Sequence, residues 1–143
     1  MAITQTLCTS FKKALLDGEM DFSSNTSQSY KVALYTNSAS LDATTTVYTT
    51  SNEASGTGYT AGGVALTIST APTTSGTTAY LSFNNATWAN STITARGALI
   101  YQTGGTTPAV AVLDFGSDKS TSGVTFQVTF PTANSTTAIV RVD

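Results

Sequence analysis

The sequence predicts a mainly β protein, an antiparallel two-sheet β-sandwich (Ig-like or jelly-roll-like) with one N-terminal α-helix. Three observations lead there. Thr and Ser supply 30 and 17 of the 143 residues, and β-branched threonine suits a pleated, half-exposed surface. Apolar residues make up 40% of the chain, enough to build a core. After Phe22 the apolar spacing changes from a helical period to strict alternation.

The elements follow in order. "TQTLCTSFKKALLDGEMDF" sets Leu7, Phe11 and Leu15 at i, i+4, i+8, one stripe of a helix over 5–17. Thr4 or Thr6 is its expected cap and Gly18 its stop. Cys8, beside that stripe, reads as a small buried hydrophobe. "SSNTSQS" is a polar loop. Strands are then expected at 30–36, 46–50, 64–70, 79–83, 96–102, 109–115, 124–130 and 138–142. The clearest alternates Val124, Phe126, Val128 and Phe130 with Thr125, Gln127 and Thr129. "TGGTTP" at 103–108 reads as a hairpin loop and "APTTSGTT" at 71–78 as a second turn. Residues 37–63 form the least regular stretch, an excursion of the length that often carries contacts with other chains. No linker divides the chain, so 1–143 reads as one domain.

Bulk properties exclude several functions. The net charge is −2, and six basic residues scattered along the chain give no footprint for nucleic acid. Cys8 is the single cysteine, so no internal disulfide is expected. No apolar run approaches membrane-spanning length. The first residues lack the pattern of a secretion signal, which points to synthesis in a cytoplasm. There is no histidine, which removes the commonest general base and most zinc sites. No cofactor or metal motif is found, and the chain reads as a non-enzyme. A carboxylate pair such as Glu53 with Asp114 is not required by any spacing. Asp114 and Asp118, with Ser117 and Ser120, read as a turn at a strand end rather than a cation site.

"SGTGYTAGG" at 55–63 is glycine-rich but is not a phosphate loop. No Lys-Ser/Thr follows, and a strand rather than a helix comes next. Its glycines are expected to serve backbone geometry, with Tyr59 as the anchoring side chain.

Four separated segments carry a resemblance: "KVALYTNSASL", "YTTSNEASGTGYTAGGVALT", "TWANSTITARGALIY" and "LDFGSDKSTSGVTFQVTFP". In this order they resemble small structural proteins of tailed bacteriophages, over about residues 30–131, and the leading "TSFKKALLDGEMDF" is also similar to the start of many members. Many members end in a tryptophan-containing strand where this chain has "TFQVTFP". The resemblance implies a virion structural protein made in the cytoplasm of a bacterial host. A capsid decoration (cement) protein is the first expectation; a collar, head-fibre, tail or tail-fibre protein, with a carbohydrate- or receptor-binding role, is the alternative. Implied partners are other virion proteins, the major capsid protein or neck and tail subunits, and further copies of the chain. A host-surface glycan enters only under the alternative. Helix 5–17 and segment 37–63 are the expected contact surfaces, with Phe11, Phe22, Tyr48 and Tyr59 as anchors. Trp88 either stacks on a sugar or closes one end of the sandwich.

Overall fold

The structure, a computed structural model, describes residues 2–143. It is a mainly β protein, 46% strand, with one short N-terminal helix and several antiparallel sheets that do not close into a barrel. The elements are β1 (Thr6–Leu7), α1 (Thr9–Leu16), β2 (Tyr30–Tyr35), β3 (Val64–Leu66), β4 (Ile68–Ser75), β5 (Thr78–Phe83), β6 (Ala86–Ser91), β7 (Thr94–Gln102), β8 (Ala109–Ser120), β9 (Val124–Val128) and β10 (Val140–Val142). One sheet has the order β1-β8-β7-β2-β3, a second β10-β5-β4, and a third pairs β6 with β9.

The helix is shorter than the expected 5–17. Thr6 and Leu7 pair with Val112 and Ala111, and the Cys8 N–H bonds the Val110 carbonyl. The chain is therefore committed to the edge of the large sheet until residue 8, and Cys8 rather than Thr4 or Thr6 is the N-cap, without a side-chain cap bond. The C-terminus behaves as expected. Gly18 takes a positive φ and bonds Leu15, while the Glu19 N–H reaches the Ala14 carbonyl, the paired bonds of a Schellman stop. Phe11 is fully buried, with its ring edge-on to Phe22.

The interior strand β2 is covered on both faces. Its even residues include Tyr30, which stacks on Phe22 at 4.3 Å and meets Phe83 of the three-stranded sheet. Its odd residues share a face with Tyr101 of β7, through the pair Lys31–Tyr101. On that face Tyr48 of the excursion stacks on Tyr101 at 4.6 Å. Strand 46–50 is not formed. Val47 makes a single bridge to Pro108, and the chain turns again where the Glu53 N–H bonds Thr50.

Other boundaries move for identifiable reasons. The expected strand 64–70 is two strands, because Thr67 is where the chain leaves one sheet for another. The Asn84 N–H and side-chain amide hold its carbonyl and hydroxyl at that switch. β4 then runs through "APTTS" to Ser75, so the turn expected at 71–78 shrinks to Gly76–Thr77. β9 stops at Val128, short of 130, and β10 starts at Val140, not 138. β6 was not anticipated. "DFGSDKS" is not a terminal turn but a bulged continuation of β8, in which Gly97 pairs with Asp114 and Ala95 with Lys119.

β6–β9 and β7–β8 are two parts of one bent ribbon. β6 leads into β7 and β8 into β9, with Thr94 opposite Ser120 and Ser91 opposite Val124. The ribbon turns a corner at 92–93 and 121–123, where hydroxyls replace the interrupted ladder. The buried Ser91 hydroxyl donates to the Val124 carbonyl at 2.9 Å and shares a bond with Thr121. Thr121 Oγ1 accepts the Ile93 N–H and Thr92 Oγ1 the Gly123 N–H. Part of the threonine and serine content thus satisfies backbone groups where strands change sheets. Ser91→Ala is expected to cost about 1–2 kcal/mol, the cost of an orphaned buried acceptor, read as a lower urea midpoint at unchanged slope. A midpoint equal to wild type would show that the corner holds without it.

Candidate interaction surface

The excursion 37–63 folds back onto the chain itself. The Thr36 N–H bonds the Asn52 carbonyl and the Ala54 N–H bonds the Leu34 carbonyl at 2.8 Å, which sets Glu53 opposite Tyr35 at the end of β2. Glu53 then acts as a hub. Its Oε1 accepts the Tyr59 hydroxyl at 2.6 Å and the Gly62 N–H at 2.7 Å, and its Oε2 accepts the Tyr48 hydroxyl at 2.6 Å. The Tyr59 oxygen in turn accepts the Leu34 N–H at 2.9 Å, and Tyr101 donates to the Gly62 carbonyl. Burial, reinforced by the bond to Glu53, holds the Tyr59 and Tyr48 hydroxyls above the ordinary phenol range. Both therefore remain donors at neutral pH.

The glycine run takes the rest of its geometry from close backbone approach. A Cβ on Gly56 would stand 2.1 Å from the Thr92 carbonyl oxygen, and one on Gly63 1.8 Å from that of Val32. "SGTGYTAGG" lies against β2 and the corner of the ribbon, and Tyr59 stacks on Trp88. It is an internal clasp.

The expected anchors divide accordingly. Phe11, Phe22 and Trp88 are buried in the chain's own core. Trp88 lies between Tyr59 and Phe126, at 3% exposure, which leaves no face for a sugar. Tyr48 and Tyr59 are half-buried, with their hydroxyls turned inward to Glu53. Helix α1 does leave one apolar side chain in solvent, Leu16 at 90% exposure.

The carboxylates serve the chain's own turns. Asp21 accepts the Ser23 N–H, Asp42 the Thr44 N–H, and Asp114 the Gly116 N–H. Asp114 also faces Arg96 at 3.4 Å, Asp118 accepts Asn37, Asp143 accepts Thr78, and Asp17 pairs with Lys13. Glu53 and Asp114 share no hydrogen-bond partner. Among the described residues no group of three or more metal-ligating side chains gathers. Cys8 is fully buried, and burial followed by the charge of Asp42 pushes its thiol up to about 11.

The open surface lies elsewhere, and the sequence gives little sign of it. A groove of about 400 Å³ runs between β8 and β9, lined by Phe115, Lys119–Thr121 and Thr125–Thr129. Phe115 and Phe126 approach to 6.2 Å there. The strict alternation of 124–130 points to β9, but nothing local says that its edge stays free.

These features define a class: an antiparallel, mainly β module whose tyrosines, glycines and acids hold its own loops in place. Compared with models of known families, with curated proteins and with solved structures, the chain matches none.

Proposed function

We propose that this chain is a structural protein of a tailed-bacteriophage virion, first of all a decoration (cement) protein that binds the capsid and stabilises the shell through subunit contacts. The observation that carries it is the use made of the motifs behind the resemblance. "NEASGTGYTAGG" is consumed in hydrogen bonds and close packing within the chain. Such a motif marks a scaffold rather than a ligand site, and a scaffold repeated over a shell is what a decoration protein supplies. Its fold is read as a two-sheet sandwich, Ig-like or jelly-roll-like. The five-stranded and three-stranded sheets meet through Tyr30, Phe22 and Phe83, and the bent ribbon passes from one layer toward the other.

With Trp88 buried, a sugar-stacking role has lost its main side chain, and the collar, tail or fibre placement stands as the alternative. The test is the number of copies bound per particle. Purified protein added to capsids that lack it is expected to saturate at hundreds of copies and to raise the temperature at which the shells open. Saturation at a handful of copies, at one vertex or along the tail, would move the protein to the neck or fibre. No binding to any particle would overturn the virion reading.

A further inference from the structure

We propose that the free edge of β9 pairs with the β9 edge of a second copy of this chain, antiparallel about a two-fold axis, joining two β6–β9 ribbons into one four-stranded sheet. This names a surface for the homo-oligomer expected above, and it does not depend on the virion reading.

The direction of the backbone carries the argument. Ala86 pairs with Val128 and Trp88 with Phe126. No bond joins Asn85 and Thr129 through their backbones, and the Phe130 N–H instead reaches the Asn85 side chain. Residues 126, 128 and 130 therefore turn their backbone groups toward β6. Thr125, Gln127 and Thr129, one residue out of phase, turn theirs away from it, toward the open groove that they line.

The other strand edges are short, irregular or charged, and β8, which β1 leaves uncovered beyond Val112, carries Asp114, Asp118 and Lys119 there. β1 has two residues and β3 three. β10 has three, one of them Arg141. β4 carries two register shifts and Pro72. The outer side of β6 is covered by the excursion, where Gly58 packs against Ser91 and Ala89 and the Thr92 N–H bonds Thr57. β9 carries no charge and no proline, and the one register shift opposite it, between Val124 and Phe126, puts the extra residue on β6. Unprotected edges of this kind take up strands.

The sequence of β9 selects its own copy as the occupant. With Gln127 on the axis, Thr125 faces Thr129 of the other copy, and both are backbone-outward residues, so all three outward positions are used. On the side-chain face toward the core, Phe126 then meets Val128, and Val124 meets Phe130. Val124 is 58% exposed in the single chain; this register gives it an aromatic neighbour. Every cross-strand pair is apolar with apolar or hydroxyl and amide with their like, and none sets two charges together.

The test uses the axis residue. Gln127 is exposed, so charge there leaves the monomer fold intact, which a thermal melt confirms. Wild type is expected to sediment as a dimer at micromolar concentration. Gln127→Lys and Gln127→Glu, each by itself, place like charges face to face and are expected to weaken the dimer by about tenfold or more. An equimolar mixture of the two is expected to restore a heterodimer. A wild type that stays monomeric at the highest attainable concentration would overturn the proposal. So would single variants that dimerise as well as wild type. Capsid binding by monomeric Gln127→Lys is measured separately, so failure of pairing and failure of the virion reading give different results.

Discussion

Gly63→Ala is expected to remove more than about 4 kcal/mol of stability, a large share of what a domain of this size has, and to leave little soluble protein. The added Cβ would stand 1.8 Å from the Val32 oxygen, 2.6 Å from the Val32 carbonyl carbon and 2.7 Å from Ala33 Cα. Those atoms belong to β2, which is held between β3 and β7 by ladders on both sides. Retreat of β2 would break one ladder, and retreat of residue 63 would break its bond to Thr60 and the start of β3. The φ of +77° adds its own cost for a residue with a side chain. Gly76→Ala is the control. Its φ is +61°, yet nothing lies within 4 Å of the new Cβ, so only the backbone cost of about 1–2 kcal/mol remains. Thermal melts of the two variants separate close approach from backbone conformation. Equal melting temperatures would show that residue 63 is not pressed against β2.

Glu53→Ala is expected to cost about 3 kcal/mol, since hydrogen bonds to a charged acceptor contribute roughly 1.5–3 kcal/mol each and Tyr48, half-exposed, recovers part of its bond from water. Three donors lose their acceptor together: the Tyr59 and Tyr48 hydroxyls and the Gly62 N–H. Tyr59 would then hold the Leu34 N–H without being oriented itself. Glu53→Gln keeps one carbonyl oxygen and is expected to lose about half as much. Urea denaturation measures both. Hydrogen exchange adds a local readout: the Gly62 and Leu34 amides are expected to lose protection before the amides of β7 and β8. Unchanged exchange at Gly62 would mean that Glu53 does not hold the excursion down.

These two residues show where the sequence was legible and where it was not. The glycines of 55–63 announce special backbone geometry, and the strand that follows them excludes a phosphate loop. What the glycines approach lies at Val32 and Thr92, about 30 residues away on either side, and no local pattern contains that. Glu53 shows the same limit more sharply. It stands in a polar run, "TTSNEAS", that reads as solvent-exposed loop. Its role appears only when Tyr48, Tyr59 and Gly62 converge on it. The excursion was expected to face other chains because it lacks periodicity. It lacks periodicity because it follows the side-chain relief of a sheet instead of building a ladder of its own.

The β character, the single early helix, its stop at Gly18 and the approximate places of β2, β5, β7, β8 and β9 come from the sequence by itself. Each rests on interactions within a few residues: alternation of side chains across a strand, a stripe along a helix, a glycine where φ must be positive. Tertiary structure decided the rest. Thr6 and Leu7 became strand because β8 offered them a partner, residues 46–50 stayed irregular because theirs was a single bridge at Pro108, and Ala86–Ser91 became strand because β9 was there to pair with it. A strand is made by hydrogen bonds to another part of the chain, so its existence is settled by where that other part lies. The same holds for the surface left open: the β9 edge is free because no strand of this chain reaches it.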